Sequence, residues 1–179
     1  GRYETGNLSA DEPVVQRMNT SISSQNWYTE YKKIKRMSTD VNVSTSMIWG
    51  CLWDETLQWL VDSGAKTYAE MKDSTSWGNY NNSTFEYKTN ISGSTSTKNA
   101  SSGTRIPSGS TEYSKANNIY DMAGNVWDWT LEGYGSNYRS YRGGNCFNVG
   151  SDSPASYRHF YSPIYSVSYI GFRAYFYIK

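Results

Sequence analysis

The sequence predicts an α+β fold, with two helices in the first third of the chain and several short strands in the last third. Residues 25–37 and 54–63 repeat apolar side chains at helical spacing, whereas residues 138–144 and 171–179 are rich in the aromatic and β-branched residues typical of strands. The 179 residues contain no internal repeat and no linker. A single domain from residue 1 to residue 179 is therefore expected.

The first elements expected along the chain are a short strand and a helix. Residues 2–6 read as a strand that ends in a turn. In the helix at about 25–37, Trp27, Tyr31 and Ile34 fall at i, i+4 and i+7 and so share one face. A serine, either Ser23 or Ser24, can cap its start.

The second helix is expected at about 54–63, after a buried stretch at 47–52. Asp54 is a suitable N-cap residue and Gly64 a natural C′ residue. The apolar face of this helix consists of Trp53, Leu57, Leu60 and Val61. Residues 73–112, which follow, are dominated by Ser, Thr, Asn and Gly, and have few large apolar side chains. They predict an irregular insert that runs over the surface.

The composition excludes several classes of partner and site. A net charge of +1, with no long basic stripe, gives no reason to expect a nucleic-acid partner. The mean hydropathy of −0.73 fits a soluble chain, and no apolar run is long enough for a membrane span. Two cysteines allow one disulfide at most, and a single histidine gives little support for a zinc site. The unusual feature is 17 Tyr and 7 Trp against 5 Phe, because tyrosine suits half-exposed positions.

Four motifs near the C-terminus resemble those of the formylglycine-generating enzyme (sulfatase-modifying factor) family. They are the segment Asn118–Thr130 with its Gly-Asn-Val-Trp-Asp-Trp run, the triplet Arg142–Gly144, the pair Arg158 and Pro163, and the triplet Gly171–Arg173. The resemblance implies a C-type lectin-like fold, with two helices, short twisted β-sheets and much irregular loop. The enzymes of this family bind copper through two cysteines, which would fall here at Gly150 and Ala155. Because neither residue offers a thiolate, we expect no oxidase activity and no catalytic residues.

The chain is also similar to the variable proteins of diversity-generating retroelements, which have the same fold. Their C-terminal stretch is mutated at template adenines, often within AAC codons, and the resulting NNC codons cannot encode Trp, Met, Gln, Lys or Glu. None of these five residue types occurs between Gly133 and Ile178. A Tyr/Ser-rich surface without diversification would give the same pattern. The resemblance places a variable region at about 134–170, and implies an extracellular location on a bacterial surface or a phage particle.

The amino-acid composition of the variable region is that of antibody paratopes, in which Tyr supplies contact area and Ser, Gly and Asn supply adaptable hydrogen bonds. We therefore expect a non-enzymatic protein that recognises an unknown protein or surface ligand. Tyr157 and Tyr175 are expected to half-bury their rings in strands, whereas Phe147, Phe160, Tyr161 and Tyr165 are expected to be exposed. The predicted binding face consists of Tyr141, Asn145, Cys146, Phe147, Asn148, Val149, Ser151, His159, Phe160, Tyr161, Tyr165, Val167, Ser168 and Tyr169.

A structural Ca²⁺ ion is implied by the resemblance, at Asp121, Gly124, Val126 and Asp128. Two carboxylates and two backbone carbonyls could supply part of the six to eight oxygens that Ca²⁺ takes. The alternative is that the two aspartates cap turns or pair with arginines such as Arg142. No cofactor is required by the predicted function. A calcium-dependent lectin is the least favoured alternative, because the metal would lie inside the core motif rather than at an open site.

Overall fold

Three helices and twelve short strands follow one another in the computed structural model, which describes residues 1–9 and 12–179. The α+β class is thus confirmed. The helices are α1 (Trp27–Ile34), α2 (Gly50–Asp62) and α3 (Tyr68–Lys72). The strands are β1 (Gly6–Ser9), β2 (Glu12–Val14), β3 (Val43–Met47), β4 (Phe85–Lys88), β5 (Thr95–Lys98), β6 (Lys115–Ala116), β7 (Ile119–Tyr120), β8 (Trp127–Tyr134), β9 (Tyr138–Arg142), β10 (Arg158–Tyr161), β11 (Ile170–Phe172) and β12 (Ala174–Ile178).

Helix α1 lies inside the predicted range and buries the predicted face. Trp27 and Ile34 are buried, and the ring of Tyr31 stacks on Trp27 with centroids 5.0 Å apart. The prediction of a serine cap is wrong, because Asn26 accepts the hydrogen bond of the Thr29 amide, at 2.9 Å. Helix α1 also buries a carboxylic acid, Glu30, which the spacing of apolar residues did not indicate.

Helix α2 begins four residues before the predicted start, so Asp54 is not its N-cap. The cap position belongs to Trp49, and Asp54 instead forms ion pairs outside the helix. The predicted apolar face is buried, apart from the partly buried Val61, and Gly64 has the left-handed φ of +74° expected of a C′ residue. The stretch 47–52 is only partly buried, because the first turn of the helix directs Trp49 and Cys51 outward.

A four-stranded sheet, in the order β10-β9-β8-β11, carries most of the C-terminal region. Its neighbours are antiparallel except for β11, which runs parallel to β8. The single strand predicted at 171–179 is divided at Arg173, because β11 joins this sheet while β12 pairs with β3. The predicted strand at 2–6 is also wrong, since β1 begins at Gly6 and Glu4 is buried among the turns of the core.

The core consists of two clusters of buried side chains, one packed around α2 and the other between α1 and the main sheet. The Ser/Thr/Asn-rich stretch 73–112 is not merely a surface excursion. It places Trp77 and Tyr80 in the first cluster, and its hairpin β4-β5 buries Phe85. The ammonium of Lys98 is buried there too, and it donates to the carbonyls of residues 80, 81 and 83. Within the described residues, no helix is long and apolar enough to cross a membrane.

Candidate ligand-binding surface

A groove of about 560 Å³ opens beside the main sheet, and its floor consists of two buried aromatic rings. Trp127 of β8 and Tyr141 of β9 meet edge to face, with ring centroids 4.8 Å apart and an interplanar angle of 75°. The groove is lined by Trp127, Tyr141, Asn145, Phe147, Asn148, Asp152, Ser153, Tyr157, His159 and Tyr169. Its walls therefore come from the loops and strand that follow β9.

The hydroxyls of several tyrosines crowd around the floor of this groove. Tyr141 bonds to His159 Nδ1 through its hydroxyl, at 3.0 Å, and their rings stack with centroids 5.3 Å apart. Burial, assisted by the nearby phenols of Tyr169, Tyr157 and Tyr161, raises the pKa of the Tyr141 phenol to about 12. Tyr141 is thus a neutral hydrogen-bonding group at physiological pH.

The loop after β9 supports itself through backbone turns and two inward amides. Gly143 and Gly144 have φ values of +94° and +75°, and a Cβ at Gly144 would lie 2.2 Å from the carbonyl oxygen of Ser153. The side chain of Asn145 accepts from the Phe147 amide at 2.9 Å, and that of Asn148 accepts from the Asn145 amide at 3.0 Å. These bonds set the loop conformation and turn Phe147, which is 58% exposed, toward solvent.

Six of the predicted face residues line the groove, namely Tyr141, Asn145, Phe147, Asn148, His159 and Tyr169. Four lining residues were missed, namely Trp127, Asp152, Ser153 and Tyr157. Trp127 is a buried core residue whose ring also forms the floor of the groove. Tyr157 was expected to be half-buried in a strand, but it precedes β10 and is 38% exposed.

Two predicted face residues turn inward instead. Cys146 is 1% exposed, and its thiol lies against the carbonyl of Gly103 at 3.5 Å. Burial raises the pKa of this thiol to about 11, so it is an inert core group. Val167 packs against the core cluster beside α1, and its carbonyl accepts from the Ser24 amide at 2.9 Å. Alternating loop residues point to opposite sides, which composition alone cannot reveal.

The other predicted residues extend the surface beyond the groove. Val149, Ser151, Tyr161, Tyr165 and Ser168 are exposed, and the rings of Tyr161 and Tyr165 lie 5.8 Å apart. Phe160 is only half-buried rather than exposed, because its ring stacks on Tyr134 with centroids 3.8 Å apart. Aromatic contacts therefore run continuously from the buried floor, through Tyr141, His159 and Phe160, to the exposed Tyr134.

Ion pairs hold the strands of the groove against helix α2. Asp54 pairs with Arg142 and, at 3.0 Å, with Arg158. Glu132 of β8 also pairs with Arg158, at 3.1 Å. Arg142 is 2% exposed, so its guanidinium ties β9 to α2 from within the fold. Arg142 and Arg158, two of the three arginines in the family-like motifs, therefore hold the scaffold together.

The carboxylates of the predicted calcium site are engaged by protein groups. Asp121 accepts from the hydroxyls of Ser108 and Ser114 and from the Gly109 amide, at 2.5 to 2.8 Å. Asp128 pairs with Arg173 at 3.3 Å, rather than with Arg142. Among the described residues, no group of three or more His, Cys, Asp or Glu side chains could hold a metal ion. Oδ1 of Asp128 has no hydrogen-bond partner among the described residues. Since the other carboxylate oxygens are already engaged, a Ca²⁺ ion held by Asp121, Gly124, Val126 and Asp128 stays a prediction.

The two positions that would align with copper-binding cysteines are closed. A Cβ at Gly150 would lie 2.6 Å from the amide nitrogen and 2.7 Å from the Cα of Thr75. Ala155 is fully buried, with its amide bonded to Ser74 Oγ at 3.0 Å and its carbonyl to Trp53 Nε1 at 2.9 Å. Neither position offers a ligand or the room for one.

Comparison with known proteins agrees with this architecture. Residues 55–176 match the sulfatase-modifying factor enzyme 1-like domain. Three solved structures share the fold. CarF is 18% identical with a TM-score of 0.57, and the match covers 87% of this chain and 67% of CarF. PvdO from Pseudomonas aeruginosa is 13% identical with a TM-score of 0.55, over 97% of this chain and 71% of PvdO. Treponema denticola variable protein 1 is 16% identical with a TM-score of 0.51, over 96% of this chain and 76% of that protein. No curated protein sequence matches the chain.

At these identities the solved structures speak for the fold alone, and they confirm the predicted C-type lectin-like subtype. The family match covers more than half of the chain, from α2 to β12. The chain therefore belongs to the sulfatase-modifying factor enzyme 1-like family and has the C-type lectin-like fold that it shares with a treponemal variable protein.

Proposed function

We propose that this chain is a non-enzymatic recognition protein, which displays a diversified Tyr/Ser-rich surface on a C-type lectin-like scaffold. The observation that carries the proposal is the groove, whose exposed walls come from residues 147–169 while its floor belongs to the buried sheet. Exposed aromatic side chains in a concave site supply large contact area at low entropic cost. A patch of this kind on a monomeric domain is characteristic of a binding surface.

The division of side chains in residues 134–170 supports diversification. Buried positions hold small or motif residues such as Ser140, Gly143 and Pro163, whereas exposed positions are mostly Tyr and Ser. All residues from 134 to 170, buried and exposed alike, are of types that NNC codons can encode, which agrees with the proposal. Replacement of an exposed side chain usually changes stability by about 0.5 kcal/mol or less, so this surface can vary while the fold persists.

The chemistry of the family's enzymes has no counterpart in this chain. Gly150 and Ala155 stand where the copper-binding cysteines would be, and both are enclosed by the core. The remaining thiols are Cys51, on the outside of α2, and the buried Cys146. A soft-metal site with two thiolates cannot be assembled from residues so placed. We propose that the partner is a protein or another surface ligand, met outside the cell or on a phage particle.

The test is the DNA around the coding region. We expect a reverse transcriptase gene nearby, with a second repeat that matches codons 134–170 except at adenines. Differences should fall on codons of exposed residues such as Tyr157, Tyr161 and Tyr165, and should spare Ser140 and Gly143. Absence of such a repeat, or differences spread equally over buried and exposed codons, would overturn the diversified function.

A protein-level test uses a library in which the codons of Tyr157, His159, Tyr161, Tyr165 and Tyr169 are replaced by NNC. We expect most clones to keep a cooperative thermal transition within a few degrees of the parent protein. A matched library at five buried positions, Tyr80, Trp129, Ser140, Ile170 and Phe172, should mostly fail to fold. Equal loss of folding in both libraries would contradict the division into frame and display.

A further inference from the structure

The lining of the groove is aromatic and carries one formal charge. Among its described lining residues, Asp152 is the single carboxylate, and it is exposed; none is lysine or arginine. Five of the others are Trp, Tyr or Phe, and His159 adds a sixth ring. An aromatic ring is negative over its face, so a surface of this composition favours a positive ligand over a negative one.

The rings that line the groove are inclined to one another. Trp127 and Tyr141 are inclined by 75°, and Trp127 and Tyr157 by 50°, with centroids 6.0 Å apart. Tyr157 and His159 are inclined by 39°, again with centroids 6.0 Å apart. Inclined rings around a concave site are the arrangement that aromatic cages use for cations, and the exposed rings here are those of Tyr157, His159, Phe147 and Tyr169.

Three arginines on elements next to the groove are already engaged by other protein groups. Arg142 and Arg158 are held by Asp54 and Glu132 against α2. The guanidinium of Arg105 donates to Ser23 Oγ at 2.8 Å and to the Ser168 carbonyl. The charge that remains to be balanced in the groove is that of Asp152.

We propose that in this version of the surface the groove receives an arginine side chain of a partner protein. The planar guanidinium would stack on the aromatic walls, and the Asp152 carboxylate would accept its N–H groups. Arginine fits better than lysine, because an ammonium is more strongly hydrated and cannot stack. This inference rests on the proposed recognition function, since it names the chemistry of the ligand for the same site.

A pair of peptides that differ only in charge provides the test. The capped tripeptide Gly-Arg-Gly and its analogue with citrulline, the neutral isostere of arginine, are titrated into the ¹³C,¹⁵N-labelled protein, and resonances of Tyr157 and Tyr169 are followed. We expect the arginine peptide to bind about five- to tenfold more tightly, as cation–π and charge-assisted contacts of ordinary size imply. Equal affinities, or shifts confined to residues outside the groove, would overturn the proposal.

Matched variants locate the effect. Asp152→Asn should reduce the preference for arginine over citrulline by about threefold or more, whereas Asp62→Asn, at the exposed end of α2, should leave it unchanged. Tyr157→Phe keeps the ring face and should keep the preference, while Tyr157→Leu should lower it. Asp152, Asp62 and Tyr157 are all exposed, so the variants are expected to fold, and a thermal unfolding transition checks each one.

The outcomes of these experiments distinguish the arginine proposal from the proposed recognition function. Choline is titrated in parallel, and binding of choline without binding of the arginine peptide would overturn arginine in favour of a quaternary ammonium ligand. If neither cation binds while the repeat and the tolerant library are found, the ligand class is wrong and the recognition function stands. If the repeat is absent as well, both proposals fall.

Discussion

The buried carboxyl of Glu30 offers a sharp test of how α1 is packed. Glu30 is fully buried, and neither of its carboxylate oxygens has a hydrogen-bond partner within the described part of the chain. Burial raises the pKa of this carboxyl well above its ordinary value of 4.5, and the nearby Asp128 carboxylate raises it further. The change Glu30→Gln removes the ionisation and keeps the shape of the protonated acid.

The sign of the effect follows from proton linkage. Below pH 4.5 the acid is protonated in both states, so the two proteins should be similar in stability. As the pH rises, the unfolded chain ionises first, and the wild-type protein loses about 1.4 kcal/mol for each pH unit until the folded pKa is passed. Above that point the variant should be more stable by about 1–3 kcal/mol, allowing for an amide that is itself buried without a partner.

Urea unfolding of both proteins at a series of pH values between about 4 and 8 measures this difference directly. Glu55→Gln, at an exposed position of α2, is the matched control and should change the free energy of unfolding by about 0.5 kcal/mol or less at every pH. A difference that does not vary with pH, or a variant that is less stable at pH 8, would refute the reasoning. Glu30 would then be ionised in the folded protein and held by a counter-charge.

Three further predictions concern the frame. A thiol reagent should label Cys51 in the native protein but Cys146 only after unfolding, because burial raises the pKa of the Cys146 thiol to about 11. Labelling of both thiols at equal rates in the native protein would contradict this. Gly150→Cys should lower the free energy of unfolding by about 1–3 kcal/mol through overlap with Thr75, with no gain of copper binding by equilibrium dialysis; an unchanged unfolding midpoint would show that the loop can move. Asn125→Ala should lower the free energy of unfolding, measured with denaturant, by about 3 kcal/mol or more, because buried groups lose their hydrogen bonds to the Asn125 amide in a left-handed turn. A loss below about 1 kcal/mol would mean that water replaces the amide.

The frame was the more predictable part of the molecule. Helical spacing found the buried faces of α1 and α2, and residue composition at 138–144 found β9. These signals are local and repeat at the period of the element. The limits of the elements were less predictable, since Asp54 resembles a cap residue but is drawn into an ion pair with β10.

The side on which a loop residue lies could not be predicted. Cys146 and Phe147 are adjacent, yet one is buried and the other exposed, because Asn145 and Asn148 twist the loop between them. Composition indicates that such a segment is half-exposed, but not which residues are exposed. The Ser/Thr/Asn-rich stretch shows the opposite failure. Its 40 residues contain four aromatic side chains, and two of them, Trp77 and Tyr80, belong to a core cluster rather than to the surface.

The self-supporting loop after β9 has a consequence for how such a protein changes over generations. Its conformation depends on glycine dihedral angles, on two inward amides and on backbone bonds, and not on the side chains that point to solvent. Under the proposed diversification, solvent-facing side chains of this loop could be exchanged without compensating mutations elsewhere. The two sets of residues overlap only in part, since Asn145 and Asn148 both fix the loop and line the groove.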